Sequence, residues 1–477
     1  MSQLVNKSFL NSVFVQDAIN DFIKIDNVIV GETPEFGYDT KINDDIGQLL
    51  QNCLNDGNIV AILYNWNDKI AYTKRGFNLS VSSDSKQVAG FTTFIVKNRI
   101  SQNNLNYFNT FVAPVQTPIQ TPIIYDPTKP RVNEFVRING TSIELNGRSF
   151  PPVGWNAFFM GLVQETMAYP SHAQITEVFE AARKMKATVI RSHTLGFSAE
   201  NTMTLLNKDN KFNDAAWDII DFAYTEAKRC SIKLIIVLCD PYEYYHGSLK
   251  TFCVPFGIPK DQFFTHPTPR AEFKKYITNY VNHINKYSKK AIKDSIEVAF
   301  FELGNELGNI RPDAGSTAIP TRDWIQDITS HLKSVAPNHL ILNGSDECLG
   351  GPISQDFSVE NIDCYSSHFY WQDWNRIKRD AANSQNVNRP YIIGEYDSKW
   401  DETWYKTIES IPNFRGGLIW SIYPHQDGNR NKLRVIHGDG FDIWYDNQSD
   451  DNTKKLLLLT NHFRRMQKLP EVKKLNF

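Results

Sequence analysis

The segment VAFFELGNELGN, residues 298–309, is an apolar run of strand length that ends in the polar pair Asn305-Glu306. Similar runs recur along the chain after residue 132, and stretches with apolar residues three and four positions apart separate them, as in amphipathic helices. The predicted strands are Val153–Ala157, Thr188–His193, Leu234–Cys239, Val298–Leu303, Leu340–Asn343, Cys364–His368, Tyr391–Glu395 and Gly417–Ser421. Eight strand–helix repeats predict an α/β fold, a (β/α)8 TIM barrel. A doubly wound open sheet is the alternative, but no GxGxxG motif follows an early strand.

The composition of the chain excludes several classes of partner. The 477 residues carry a formal net charge of −2, so no strong field selects a nucleic acid or an anionic membrane. No apolar stretch approaches the ~18 residues of a membrane span, and no apolar core of a secretory signal is visible at the start. The six cysteines fit neither a disulfide framework nor a CxxC metal pattern. We expect a monomer that binds neither nucleic acid nor membrane.

The domain organisation follows from one Pro-rich boundary. Residues 111–132, which include PVQTPIQTPIIYDPTKPR, predict an extended linker between a small module at 1–110 and a barrel domain at 133–477. The module is expected to be α+β or β-rich, with a short helix at Ile46–Leu54 and strands at Ile59–Tyr64 and Phe91–Val96. Its segment CLNDGNIVAILYNWNDKIAYTKRGF resembles a PAN/apple module, although that family has paired cysteines and only Cys53 is present here. Its role is open, and carbohydrate binding is one candidate.

Two glutamates lie at the tops of predicted strands four and seven, at the end of a barrel where function is expected. Glu306 closes FELGNE, and Glu395 lies in YIIGEYDSKW. Paired carboxylates are what glycosidic cleavage requires, because one protonates the leaving oxygen while the other attacks the anomeric carbon or activates water. The alternative is a pair of surface loop acids. Glu302 on the same strand lies roughly 13 Å deeper at ~3.3 Å per residue, so we expect it to be a buried, paired carboxylate.

Other strand ends bring polar and aromatic side chains to the same end of the barrel. Predicted strand two carries Arg191 and His193, and a guanidinium inside a barrel needs an anionic partner. A nearby catalytic carboxylate or a purely structural ion pair would provide it. His368 and Tyr370 stand two positions apart, so both side chains point to one side of strand six. Trp420 ends strand eight, where it either stacks on a sugar ring or packs the barrel.

Seven segments, in order along the predicted barrel, resemble retaining β-glycanases of glycoside hydrolase family 5, in particular the β-mannanase-like members. The resemblance extends from about Phe135 to the C-terminus. The segments are FVRINGTSIELNGRSFPPVGWNAFFM, VIRSHTLG, FELGNELGN, SSHFYW, IIGEYDSKW, LIWSIYPHQDG and HGDGFDIWY. The resemblance implies a (β/α)8 catalytic domain and cleavage by double displacement through a glycosyl-enzyme.

The resemblance also implies a role for each matching residue of the reaction centre. Glu306 corresponds to the acid/base and Glu395 to the nucleophile. Asn305 corresponds to the residue that binds the 2-hydroxyl of the sugar at the cleavage point. Arg191 would keep the nucleophile ionised, and Tyr370 would donate a hydrogen bond to it.

Further matches concern the −1 subsite, which holds the sugar on the non-reducing side of the cleaved bond. The resemblance places His368 in this subsite and Trp420 beneath the sugar ring. Trp155 and Asn156 are expected to be subsite residues as well. His193 departs from the pattern, because many members carry an aromatic residue there, and it is expected to shape one subsite.

Neither a metal nor a cofactor is expected. The histidines His246, His266, His425 and His437 are far apart with no HExxH-like spacing, and no Gly-rich phosphate loop occurs. Many aromatic residues should lie at the barrel top, where they either line sugar subsites or pack loops on one another. They are Tyr242, Tyr244, Tyr245, Trp371, Trp374, Trp400, Trp404 and Tyr423.

The function predicted from these observations is hydrolysis of β-1,4-linked mannan or mannooligosaccharides by a retaining mechanism. The same mechanism on β-1,4-glucan or cellooligosaccharides, and an exo-acting β-glycosidase, are the near alternatives. A non-catalytic carbohydrate-binding barrel is the remoter one. The substrate class favours secretion, whereas the absence of a visible signal leaves a cytoplasmic location open.

Overall fold

The computed structural model describes five strands within residues 22–96, and residues 135–475 except 165, 208–210, 309–318, 347–358, 371–372, 426–432, 434, 436 and 446–448. The chain divides into two compact units, Met1–Lys129 and Pro130–Phe477. The short helix expected at Ile46–Leu54 and the linker expected at 111–132 lie outside the described residues.

The first unit contains an antiparallel sheet of five strands in the order β1-β5-β3-β4-β2. The strands are β1 (Phe22–Ile29), β2 (Phe36–Lys41), β3 (Ile59–Asn65), β4 (Ile70–Arg75) and β5 (Lys86–Val96). The two strands that the sequence predicts in this region fall within β3 and β5. The described part of the module is therefore β-rich.

The second unit is built around eight parallel strands in the order β13-β12-β11-β10-β9-β16-β15-β14. A parallel bridge between Leu342 and Cys364 joins the two ends of this sheet, which confirms the predicted (β/α)8 barrel. The strands are β9 (Val153–Asn156), β10 (Val189–Ser192), β11 (Lys233–Val237), β12 (Val298–Glu302), β13 (Leu340–Leu342), β14 (Tyr365–Phe369), β15 (Tyr391–Asp397) and β16 (Phe414–Trp420).

Helices on the outside of the barrel alternate with the strands. They are α1 (His172–Met185), α2 (Asp214–Cys230), α3 (Pro267–Asn282), α4 (Arg322–Val335), α5 (Trp374–Asn386), α6 (Glu402–Glu409) and α7 (Asp450–Met466). Ser171 caps α1 as expected, and it forms a capping box with Gln174. None of the helices in the part of the chain that the structure describes has both the length and the hydropathy of a membrane span.

Two small sheets complete this unit. A three-stranded antiparallel sheet contains β6 (Arg137–Asn139), β7 (Ser142–Leu145) and β8 (Arg148–Ser149). Ile143 of β7 and Phe150, which follows β8, join the apolar cluster of the barrel interior, so this sheet covers one mouth of the barrel. The second sheet pairs β17 (Ile422–Tyr423) with β18 (Ile443–Trp444) in the region after β16.

The alternation of side chains along the strands carries charged groups into the barrel. Val189 and Phe300 belong to the apolar cluster of the interior. Arg191 and Glu302 follow them by two positions on the same strands and therefore point to the same side. Both charged side chains are wholly buried. The barrel thus changes from an apolar lower layer to an ion pair just below its functional end.

Candidate active site

Two glutamates converge at the carboxyl ends of β12 and β15. Glu306 follows the end of β12 at Glu302, and Glu395 lies inside β15, opposite His368 of β14. A carboxylate oxygen of Glu306, one of Glu395 and a ring nitrogen of His368 all lie within 4.8 Å of one another. The structure thus brings together the two carboxylates that the sequence singled out.

The two carboxylates face a cleft with a volume of about 320 Å³. Seven of its fifteen lining residues are Phe, Tyr or Trp, and the others are carboxylates, imidazoles and one amide placed among these rings. Its lining comprises Phe158, His193, Asp240, Tyr242, Tyr244, Tyr245, His246, Asn305, Glu306, Tyr370, Glu395, Trp420, His437, Asp439 and Phe441. An apolar cleft with a few convergent polar groups is typical of a site for a small polar ligand.

Arg191 is the centre of a buried hydrogen-bond network. Its Nε and Nη2 donate to the two oxygens of Glu302 at 2.6 and 3.0 Å. Its Nη2 also donates to Asn305 Oδ1 at 2.9 Å. Its Nη1 donates to Asn156 Oδ1 and to Glu395 Oε1, each at 2.8 Å. All five N–H groups of the guanidinium are used, so its position is fixed by four side chains.

Glu395 receives donors on both carboxylate oxygens. Arg191 donates to Oε1 at 2.8 Å, and the hydroxyl of Tyr370 donates to Oε2. Burial raises the pKa of Glu395 above its ordinary value, and the neighbouring Glu306 adds to this rise. His368, Arg191 and the hydrogen bond from Tyr370 act in the opposite direction and favour the ionised form. Glu395 is therefore a buried carboxylate whose charge depends on these three neighbours.

Glu306 has a different set of partners. Its Oε1 lies 2.9 Å from Nδ1 of His368, and its Oε2 accepts a hydrogen bond from the hydroxyl of Tyr242 at 2.5 Å. Arg191, which contacts Glu395 directly, does not bond to Glu306 among the described hydrogen bonds. The two glutamates therefore differ in environment, which is the usual way that two nearby carboxyl groups are given different roles.

The backbone at Glu306 is in the left-handed region, with φ 45°. A residue with a side chain is uncommon there, and such strain is concentrated at functional sites. The conformation is held from both sides, because Asn305 N–H donates to the carbonyl of Cys239 and Leu307 N–H donates to the carbonyl of Gly344, each at 2.8 Å. The turn after β12 is thus tied to the two neighbouring strand ends.

His368 lies behind the two carboxylates and contacts both. Its Nδ1 is 2.9 Å from Glu306 Oε1 and 3.5 Å from Glu395 Oε2. Burial acts to lower the pKa of His368, but Glu395 and the hydrogen bond with Glu306 outweigh burial and raise it above the ordinary value. The residue at 394 must be glycine, since a Cβ there would stand 2.7 Å from the imidazole Nε2.

Trp420 provides a flat aromatic surface at the end of β16. Its ring stacks on Phe158 with centroids 5.2 Å apart and 16° between the planes. Its Nε1 donates to Asp439 Oδ2 at 2.6 Å, and its plane is nearly perpendicular to the ring of His193, with centroids 6.0 Å apart. The peptide bond between Trp420 and Ser421 is cis. The indole is thus held by a ring on one side and by a carboxylate at its polar tip.

The structure places Trp155 and Asn156, which were expected to be subsite residues, outside the residues that line the cleft. Trp155 is wholly buried in the apolar core. Asn156 is also wholly buried, and its Nδ2 donates to the carbonyls of Gly394 and Ile419 at 3.1 and 3.3 Å. Since its Oδ1 accepts from Arg191, Asn156 connects β9 to the strands and the guanidinium beneath the site. Both residues support the floor of the site.

The loop after β11 contributes residues that the sequence analysis did not assign to catalysis or binding. Asp240 and His246 line the cleft, and Tyr242, expected only as a rim aromatic, bonds to Glu306. The available signal was their position, since all three follow the carboxyl end of a barrel strand. They carry no recognisable spacing, so the sequence pattern alone does not select them.

The aromatic residues expected at the barrel top divide between the two alternatives. Tyr242, Tyr244 and Tyr245 line the cleft, and Tyr244 is 44% exposed. Trp400 and Trp404 instead stack on the buried ring of Tyr396. Two other members, Trp374 and Tyr423, pack against the buried core and in it, respectively. Trp371 lies outside the described residues.

Glu306, His368 and Glu395 have the composition of a metal site, but the groups around them favour binding of a proton over binding of a metal ion. The Arg191 guanidinium lies 2.8 Å from Glu395 and would repel a cation placed between the carboxylates. Both oxygens of each glutamate already accept hydrogen bonds or lie beside His368. The arrangement is suited to holding and transferring a proton between two acids.

Comparison with known proteins gives consistent results. The family described as GH family 5 beta-mannosidase-like matches residues 256–397. A relative from Arabidopsis thaliana, whose name assigns it to the mannan endo-1,4-beta-mannosidases, is 30% identical over 55% of this chain and 72% of its own length. Mannan endo-1,4-beta-mannosidase 4 of Solanum lycopersicum is 26% identical over 61% of this chain and 84% of its own. The solved endo-1,4-beta-mannanase of Rhizomucor miehei has the same fold, with a TM-score of 0.56 at 21% identity over 70% of this chain and 99% of that one.

Proposed function

The chain belongs to glycoside hydrolase family 5, among its β-mannosidase-like members, and we propose that it is a retaining enzyme that cleaves β-1,4-linked mannan or mannooligosaccharides. The substrate proposal is supported by the names of relatives such as the tomato mannan endo-1,4-beta-mannosidase. Within the proposal, Glu395 is the nucleophile and Glu306 is the acid/base.

One observation carries the mechanism, namely the short separation of the two carboxylates. Oxygens of Glu306 and Glu395 lie within 4.8 Å of each other. Retaining glycosidases place their carboxyl groups about 5–5.5 Å apart, whereas inverting enzymes need about 6.5–9.5 Å to admit a water molecule. A gap of this size favours direct attack by one carboxylate on the sugar over attack by an intervening water.

The partners of each glutamate support the division of roles. Glu395 accepts hydrogen bonds from Arg191 and from Tyr370, and both stabilise its ionised form, which a nucleophile requires. Among the described hydrogen bonds, Arg191 donates to Glu395 and not to Glu306, and the two glutamates share His368. When one proton is divided between two adjacent carboxylates, the one without the cation is the better place for it. Glu306 is then the acid.

The reaction proceeds in two displacements. In the first, a carboxylate oxygen of Glu395 forms a bond to the anomeric carbon, the glycosidic C–O bond breaks, and Glu306 gives its proton to the leaving oxygen. The ester has no charge, so Glu306 no longer faces an anion and can act as a base. In the second, Glu306 takes a proton from water, the water oxygen attacks the anomeric carbon, and Glu395 leaves as a carboxylate.

The pairing of Arg191 with Glu302 fits this cycle. When Glu395 is esterified, Arg191 loses an anionic neighbour. Its bidentate contact with the wholly buried Glu302 remains, so no unpaired charge is left inside the barrel. The guanidinium keeps its place while the charge beside it appears and disappears, and a fixed donor of this kind needs no reorganisation during the reaction.

Three measurements test the proposal. Proton NMR of the first products from mannopentaose should show the β-anomer, and reducing ends should appear faster with mannan than with soluble cellulose derivatives or xylan. The variants Glu395→Gln and Glu306→Gln should each lose at least a factor of about 10²–10⁴ in kcat on mannan while they remain folded. Glu402→Gln, at the exposed start of α6, is the matched control and should keep the wild-type rate. A first product of inverted configuration, or wild-type turnover by Glu395→Gln, would remove the mechanism.

A further inference from the structure

Two imidazoles on one wall of the cleft have ring nitrogens without a hydrogen-bond partner. His193 follows β10 and His246 lies in the loop after β11, and each exposes only 3% of its surface. Both line the cleft, and Nδ1 of each is buried with no partner among the residues that the structure describes. Because buried polar atoms are nearly always hydrogen-bonded, a ligand or a water molecule is expected to complete these two.

A shared carboxylate fixes the chemistry of the pair. His246 Nε2 lies 3.2 Å from Asp240 Oδ2, and the same oxygen is 3.8 Å from His193 Nε2. Asp240 is held in turn by the backbone N–H of Tyr242 at 2.9 Å. A carboxylate next to Nε2 of His246 holds the proton on that nitrogen, so Nδ1 presents a lone pair. His246 is therefore an acceptor for a hydroxyl donor.

The pair suits a neutral ligand. Burial and the charge of Arg191 lower the pKa of His193 well below its ordinary value, while the neighbouring side chain of Asn305 acts against them. His193 is therefore neutral over the working range of most enzymes. An anionic ligand would find no cationic imidazole at His193 and would face Asp240, whereas the hydroxyl groups of a sugar can donate to and accept from neutral imidazoles.

His193 lies close to two residues that would contact the sugar at the cleavage point, Trp420 and Asn305. The planes of the His193 and Trp420 rings are nearly perpendicular, at 87° with centroids 6.0 Å apart, and His193 lines the same cleft as its neighbour Asn305. If Asn305 contacts the 2-hydroxyl, as the family resemblance implies, then His193 lies beside that same hydroxyl. The 2-hydroxyl is axial in mannose and equatorial in glucose, so a polar group at this place distinguishes the two sugars.

We infer that His193 and His246 bind hydroxyl groups of the sugar seated on Trp420, and that His193 favours mannose over glucose. The inference rests on the proposed function, since it names what one wall of the proposed active site recognises. A site that is built to hydrogen-bond a hydroxyl discriminates strongly against a sugar that cannot supply it in the right place.

Two variants remove the unpaired nitrogens with little other change. His193→Phe keeps a flat ring beside Trp420, and His246→Gln keeps an amide donor for Asp240. His331→Gln on α4, whose ring bonds to Thr278 away from the cleft, is the matched control. We expect His193→Phe to lower kcat/KM on mannopentaose about tenfold and to leave that on cellopentaose within about twofold, as for the loss of one neutral hydrogen bond. His246→Gln should lower both about tenfold, and the control should change neither.

Equilibrium binding separates this inference from the proposed function. In the Glu395→Gln background, calorimetry with mannotriose and cellotriose reports recognition without turnover. A preference for mannotriose that is lost with His193→Phe supports the inference even if the wild-type enzyme cleaves a different bond. A manno-to-gluco ratio unchanged by His193→Phe, in both binding and kcat/KM, overturns it while the hydrolase stands. Absence of sugar binding overturns both.

Discussion

Replacement of Arg191 by methionine should lower the free energy of unfolding by several kcal/mol, and the size of this decrease should depend on pH. Arg191→Met keeps much of the side-chain volume but removes all five donors. Glu302, which is wholly buried, then loses the partners that lie 2.6 and 3.0 Å from its two oxygens. A buried carboxylate without a counter-charge does not stay ionised, so we expect Glu302 to take up a proton in the folded variant.

The magnitude of the decrease follows from the free energy needed to protonate Glu302 at pH 7. An exposed glutamate has a pKa of about 4.3, and each pH unit is worth about 1.36 kcal/mol, so neutralising Glu302 at pH 7 costs about 3.7 kcal/mol. This agrees with the about 3–5 kcal/mol found when one partner of a buried ion pair is removed. The folded variant binds one proton more than the unfolded chain at neutral pH. The deficit relative to wild type should therefore shrink by about 1.4 kcal/mol for each unit that the pH falls toward 5.

Urea denaturation of wild type and Arg191→Met at pH 7, 6 and 5 measures this deficit. Arg191→Met combined with Glu302→Gln also removes the carboxylate that two guanidinium nitrogens bind, so the double variant should recover at least half of the loss at pH 7. Arg183→Met is the control, because Arg183 pairs with Glu180 on the exposed side of α1 and such pairs contribute about 0.2–1 kcal/mol. A deficit below about 1 kcal/mol, or one that does not change with pH, would refute the view that Arg191 holds Glu302 ionised.

Three further outcomes are expected at the reaction centre. Tyr370→Phe removes a hydrogen-bond donor from Glu395 and so raises the pKa of Glu395 further. Because Glu395 must be ionised to attack, the acidic limb of the kcat/KM profile should move to higher pH, and a pH–rate profile whose acidic limb does not move would contradict this. Gly394→Ala would place a Cβ 2.7 Å from His368 Nε2, so we expect kcat on mannopentaose to fall about tenfold or more and the unfolding temperature to fall as well, as stopped initial-rate assays and calorimetry can show. A wild-type kcat in this variant would show that the position of His368 does not matter for turnover. Trp420→Ala removes the flat surface, so KM should rise about tenfold in the same assays, and a wild-type KM would show that the sugar does not lie on this ring.

The sequence predicted the elements whose physical signal is local. All eight barrel strands occur within a few residues of their predicted bounds, because each is an apolar run that must be buried from both sides. The carboxylates followed from the same pattern. A glutamate near the carboxyl end of a buried strand stands at the functional end of a barrel. Glu306 follows β12, Glu395 lies in the last part of β15, and both face the same cleft.

What the sequence did not predict depends on contacts between distant segments. Trp155 and Asn156 end a strand just as Trp420 does, yet they are wholly buried, because the space beyond them is filled by Arg191 and neighbouring strands. Tyr242 reaches Glu306 only through the course of the loop after β11. No local spacing encodes either result, since both depend on which side chain occupies a given volume after the barrel has closed.

The identity of the partner of Arg191 shows why such contacts matter for chemistry. The sequence left two alternatives for the anionic partner of Arg191, a catalytic carboxylate or a structural ion pair. The structure shows both at once, because two nitrogens of Arg191 bind Glu302 and one binds Glu395. Burial and Glu306 raise the pKa of Glu395, while His368, Arg191 and the hydrogen bond from Tyr370 lower it. Glu302 binds the guanidinium through two nitrogens, so the cation keeps its position beside Glu395. The buried carboxylate on β12 therefore positions the donor to the proposed nucleophile on β15 while it lies outside the lining of the cleft.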